Sequence, residues 1–156
     1  MPTDTLDHAL ARRLRLGLGL LGLALLAGSV AAKDAPAFKV IAHPALAGNA
    51  IRRALLADIF LKNVRHWGDG TPVTPVDQST RWRLRASFSL NVLSLPVSSV
   101  QTYWQRQAVM NRERPPLVLG SDEEVLAFVA ATPGAIGYVS PDAATNEAVR
   151  ILTIVD

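Results

Sequence analysis

Beyond residue 36, apolar positions recur at two periods, and the changes between them predict the elements. Ala37 to Ala42 (AFKVIA) is a short β-rich run closed by His43-Pro44. Gly48-Asn49 breaks the chain, and Asn49 is a residue type that caps helices. From Ala50 to Lys62, Ile51, Leu55, Ile59 and the adjacent Phe60 recur at near-helical spacing. Arg52, Arg53 and Asp58 fill the opposite face, so this stretch predicts an amphipathic helix. Trp67 to Pro72 (WGDGTP) is a turn cluster, and Val73 to Val76 is a second strand. Pro75 places that strand near an edge or a bulge. Asp77-Gln78-Ser79-Thr80 is a polar loop whose Ser79 or Thr80 caps a helix from Arg81 to Leu93. After Leu95-Pro96, a helix capped by Ser98 or Ser99 runs to Met110, with Val100, Tyr103, Trp104 and Gln107 on related turns. Leu117 to Leu119 is a brief strand. Ser121 and Glu124 form a capping box for a helix through Ala131, which Thr132-Pro133-Gly134 stops. Ala135 to Val139 and Val149 to Val155 complete the strands. Strands alternating with helices, without internal repeats, predict one α/β domain with a mixed sheet flanked by helices.

The first 32 residues follow a different rule. Arg12, Arg13 and Arg15 precede an apolar Leu, Gly and Ala run, and small residues follow at Val30-Ala31-Ala32. This order defines a secretory signal peptide cleaved after Ala31 or Ala32. The apolar run from Leu16 to Ala32 has 17 residues. A membrane span needs about 20, which disfavours the alternative of a retained anchor. The expected organisation is a signal peptide at 1–32 and a domain at 33–156, exported to the periplasm, with membrane contact only through the signal segment.

Residues 33–156 carry 13 Lys plus Arg against 11 Asp plus Glu, a near balance that argues against a nucleic-acid partner. The chain has no cysteine, so it has no disulfide and no thiolate chemistry. His43 and His66, the only histidines beyond the leader, both sit beside turns. None of the common catalytic signatures (HExxH, GxSxG, a P-loop, GxGxxG) occurs. Asp58, Asp69 and Asp77 are scattered. The sequence therefore predicts no catalytic residue, no metal and no cofactor.

The segment with most chemical potential is Asp77 to Arg85 (DQSTRWRLR). A polar loop entering a helix start offers free N–H groups to an anion. Ser79 and Thr80 can donate hydroxyls, and Arg81, Arg83 and Arg85 can supply guanidinium groups. The three arginines do not share one helical face, so only one or two of them can converge on one ligand. Trp82, flanked by arginines, is the tryptophan expected to be exposed.

Three blocks in order resemble the substrate-binding proteins of phosphate ABC transporters: Leu56 to Lys62 (LADIFLK), Trp67 to Val73 (WGDGTPV) and Thr132 to Val139 (TPGAIGYV). The resemblance implies a type 2 periplasmic-binding fold, here a shortened relative with roughly one lobe. It also implies a phosphate-binding Ser-Gly-Thr motif in the region of residues 77–85. Ser79-Thr80 lacks the intervening glycine. Aligning on Phe88 places Trp82, Arg83 and Leu84 there instead, so the motif is broken either way. The implied function is a non-catalytic domain binding phosphate or another small oxyanion through Ser79, Thr80, Arg81, Arg83 and Arg85. The alternatives are an interaction module with an envelope protein partner through Trp82, and a homodimer that rebuilds a cleft. A full chain expressed in a Gram-negative host should emerge in the periplasmic fraction with its intact mass shortened by 31 or 32 residues. Recovery of the uncut mass in the membrane fraction would establish an anchor instead.

Overall fold

The computed structural model describes residues 37–111 and 113–156, so the signal-peptide expectation for 1–32 lies outside the described residues. Six strands form one mixed sheet: β1 (Lys39–Ala42), β2 (Ala50–Arg52), β3 (Thr74–Gln78), β4 (Leu117–Leu119), β5 (Ala135–Val139) and β6 (Arg150–Val155). Their order across the sheet is β2-β6-β1-β5-β3-β4. β1 runs antiparallel to both β5 and β6, while β3 pairs in parallel with β4 and β5, and β2 in parallel with β6. The helices are α1 (Arg53–Phe60), α2 (Arg83–Phe88), α3 (Val97–Met110) and α4 (Asp122–Ala131), with a π-helical turn at Ser89–Leu93 directly after α2. This is the mixed α/β architecture that the alternating pattern predicts.

Both faces of the sheet are covered, which is why the central strands read as continuous apolar runs rather than alternating ones. On one face, Val40, Ala42, Ile136 and Tyr138 pack against Leu56, Ile59 and Phe60 of α1, Phe88 of α2 and Trp104 of α3. On the other, Ile41, Val76, Ala135 and Val139 pack against Val125 and Val129 of α4. Four aromatic rings anchor the first face. Phe88 stacks on Tyr138 with centroids 3.9 Å apart and planes 4° from parallel, and Phe38 and Phe60 close around the pair.

Several boundaries differ from expectation. Ala50–Arg52 is a strand, not the first turn of a helix, because the edge of β6 opposite β1 offers Thr153–Val155 as a parallel partner. Asn49 caps no helix; its side chain accepts a hydrogen bond from Arg150 Nη1 at 2.8 Å. β3 continues through Asp77 and Gln78, the expected loop, because β4 pairs with Val76–Gln78. Pro75 lies in an inner strand, one residue before that pairing starts, where its missing N–H leaves one side of the ladder without a strand partner to lose. Ser98 and Ser99 fall inside α3, which begins after Pro96. The Ser121 half of the capping box at α4 forms. Ser121 Oγ accepts from Glu124 N at 3.2 Å, while Glu124 Oε2 accepts from Gly120 N at 2.7 Å, one residue before the cap.

The second and third sequence blocks meet in space. Trp67 Nε1 and Thr74 N both donate to Gly134 O, at 3.0 and 3.1 Å. Gly134 has φ +79°, and a Cβ there would lie 2.1 Å from Pro72 O. Gly137 brings β5 onto α4, where a Cβ would lie 2.9 Å from Val125 Cγ1. Both glycines are therefore required by close packing. Gly134→Ala should cost about 2–5 kcal/mol, combining the left-handed backbone with the clash. Urea denaturation measures it, and a loss under about 0.5 kcal/mol would mean that the turn tolerates a side chain.

Candidate functional site

β3, β4 and β5 run parallel, so Gln78, Leu119 and Val139 end at the same edge of the sheet, where antiparallel β1 begins. The segment Ser79–Trp82 leaves β3 at this edge. An open groove of about 490 Å³ lies beside it, lined by Arg81, Trp82 and Arg83 of the segment entering α2 and by Ser140, Pro141 and Asp142 after β5. Ligands of open α/β sheets bind at such carboxyl ends.

The five expected ligand residues are divided by the fold. Arg81 and Arg83 are exposed and line the groove. Thr80 is exposed and Ser79 half-buried, at the head of the loop. Ser79 Oγ accepts from Arg81 N at 3.4 Å, so it shapes the turn and caps no helix. The helix starts two residues later than expected, with Trp82 at the cap position and no side-chain cap bond. Trp82 is 54% exposed, as expected, and its Nε1 donates to Gly120 O at 3.0 Å, which fixes the ring beside the groove.

Arg85 is turned the other way. It is 4% exposed, and its Nε donates to Asp77 Oδ1 at 2.8 Å. The same oxygen accepts the Tyr138 hydroxyl at 2.5 Å and Gln78 N at 2.8 Å. Burial pushes the Asp77 carboxyl up from its ordinary value of 3.8, against the lowering effect of the Arg85 guanidinium and of the Tyr138 and Gln78 donors. Burial and the adjacent Asp77 charge push the Tyr138 phenol up, so it stays protonated and donates. Arg85 Nη1 is buried without a hydrogen-bond partner.

A second carboxylate organises the strand ends. Asp122, in the first turn of α4, accepts from Gln78 Nε2 at 2.7 Å and from Ser140 N at 3.2 Å. Asp122, Glu123 and Glu124 all fall in that first turn, so the amino end of α4 already carries negative charge.

Sequence reasoning missed Asp77, Gln78, Asp122 and Tyr138. One signal was present. Arg85 precedes the buried Phe88 by three residues, a spacing that puts both on the core-facing side of a helix.

This mixed-sheet topology matches a periplasmic-binding-protein-like α/β fold. Solved structures share it. A phosphate ABC transporter substrate-binding protein from Clostridium perfringens, holding bound phosphate, superposes with a TM-score of 0.58 at 13% identity, over 76% of this chain and 44% of that one. PstS from Borrelia burgdorferi gives 0.58 at 18% identity, over 76% and 47%. An ABC-type phosphate transport receptor from Vibrio cholerae gives 0.57 at 17% identity, over 76% and 47%. The chain thus spans less than half the length of the structures it matches. At these identities the likeness is one of fold. No protein-family model and no curated protein matches the chain.

The buried ion pair generates a pH-dependent prediction. The native state holds the Asp77 proton more tightly than the unfolded chain does. Its contribution to stability is therefore complete below 3.8 and is lost as pH rises through the raised native value. Arg85→Met removes the principal opposing charge. It should cost about 3–5 kcal/mol at neutral pH, and the deficit against wild type should narrow in acid, where the carboxyl can take up its proton. The Asp77→Asn/Arg85→Met double variant should recover most of the loss. Urea denaturation at roughly pH 4 and pH 8 checks both points, and an equal deficit at the two pH values would exonerate Asp77.

Proposed function

We propose that this chain is an exported, non-catalytic binding lobe that takes phosphate or another small oxyanion at the Ser79–Arg83 segment, in connection with ABC transport. The carrying observation is the separation of the arginines. Arg85 is consumed by Asp77, whereas Arg81 and Arg83 are exposed and, among the described residues, enter no ion pair. They line the groove, Thr80 precedes Arg81 in the chain, and a guanidinium can hold an oxyanion with two parallel hydrogen bonds. Arg85 supports this segment from beneath rather than as a donor at the groove. The phosphate bound in the Clostridium perfringens structure supports the choice of ligand class, and the leader pattern supports a periplasmic location.

A second reading is a protein-interaction module. It is favoured by Trp82, which is held rigidly and left 54% exposed between two arginines. Trp and Arg are the residue types that dominate interface hot spots.

Thermal melting at low ionic strength, with millimolar phosphate, sulfate and related anions, separates the two readings. A ligand at about 100 times its dissociation constant adds roughly 2.7 kcal/mol, several degrees for a domain of this size. Arg81→Ala and Arg83→Ala should abolish the shift. A flat response across the anions would sink the oxyanion reading and leave the interaction module.

A further inference from the structure

The groove at the carboxyl edge is lined by charges of both signs. Arg81 and Arg83 come from the segment entering α2, and Asp142 from the turn after β5. All three are exposed, and among the described residues none enters an ion pair. A surface with basic and acidic residues side by side is self-complementary under a two-fold axis. Rotation brings the arginines of one copy onto the aspartate of the other.

We propose that a second copy of this chain closes the groove, with Arg81 and Arg83 of each protomer facing the partner's Asp142. Two further observations fit this occupant. Trp82 is the large exposed aromatic at the groove, and its ring is already hydrogen-bonded to Gly120 O, which lowers the side-chain entropy lost on docking. Pro141, exposed beside Asp142, offers the partner's Trp82 an apolar contact.

The charges do not balance within such a dimer. Each protomer brings two groove arginines and one aspartate, which leaves a positive surplus at the two-fold axis. A small oxyanion between the copies offsets that surplus. Dimerisation and anion binding are then thermodynamically linked, each strengthening the other by the same factor. This linkage rests on the oxyanion reading above, whereas the charge pairing does not.

The test is sedimentation velocity on the full chain, exported and purified in its resulting form, over a wide concentration range with and without inorganic phosphate. The expected result is a monomer–dimer equilibrium that phosphate moves toward dimer. Asp142→Arg and Arg83→Asp should each weaken the dimer about tenfold or more, because like charges then face each other. The double variant, Arg83→Asp with Asp142→Arg, should restore it. Asp142→Asn should fall between. Both positions are exposed, and circular dichroism on each variant confirms the fold. A protein that is monomeric at every concentration, while its melting point responds to phosphate, overturns the dimer and leaves the oxyanion reading intact. A dimer indifferent to Asp142→Arg overturns the proposed interface. A dimer that obeys the charge swap but ignores phosphate upholds the interface and removes the anion from it.

Discussion

The oxygen Oδ1 of Asp77 is the point on which the functional edge depends. It gathers the Arg85 guanidinium, the Tyr138 hydroxyl and the Gln78 amide, and so ties the end of β3 to α2 and to β5. Burying a charge costs several kcal/mol unless it is paired and hydrogen-bonded, so each partner here is needed. The two ends of the segment Ser79–Leu84 are held by this one carboxylate. Its exposed residues can project into solvent without the strand or helix moving beneath them. The arrangement is not fully satisfied, since Arg85 Nη1 lacks a partner.

The same tyrosine belongs to the apolar core. Tyr138 stacks on Phe88 through its ring and bonds Asp77 through its hydroxyl. The polar centre and the aromatic cluster are thereby one unit, and a change in either reaches the other. The opposite face of the sheet is simpler, with α4 lying on β5 at the closeness Gly137 permits. The sequence blocks Trp67–Val73 and Thr132–Val139 come together through Trp67 and Gly134, a structural junction away from the groove.

The elements carried by strong periodicity were legible: α3, α4 and the strands Ala135–Val139 and Arg150–Val155. What escaped was tertiary. Ala50–Arg52 has helix-compatible residues and becomes a strand because β6 has a free edge there. Asp77 and Gln78 read as loop because they are polar, yet they end a buried strand whose partners lie far along the chain at Tyr138 and Asp122. For the site, the exposure of Trp82 and the impossibility of three arginines converging could both be read from spacing. The three-residue spacing from Phe88 marked Arg85 as the arginine that turns inward, but its partner Asp77 was hidden in a segment that read as loop.

The division of labour among the arginines also bears on how strongly such a lobe can bind. An anion held by Arg81 and Arg83 at an open groove still faces water on one side. Water competes for the same guanidinium donors, and the high local dielectric weakens their attraction. Salt weakens it further, because both charges are exposed. The buried pair shows the contrast within one molecule, since Arg85 and Asp77 are shielded from both effects. On the proposed oxyanion reading, the groove's charge and hydrogen-bond donors set which anions are accepted, and its affinity is set by whatever surface excludes water from the open side.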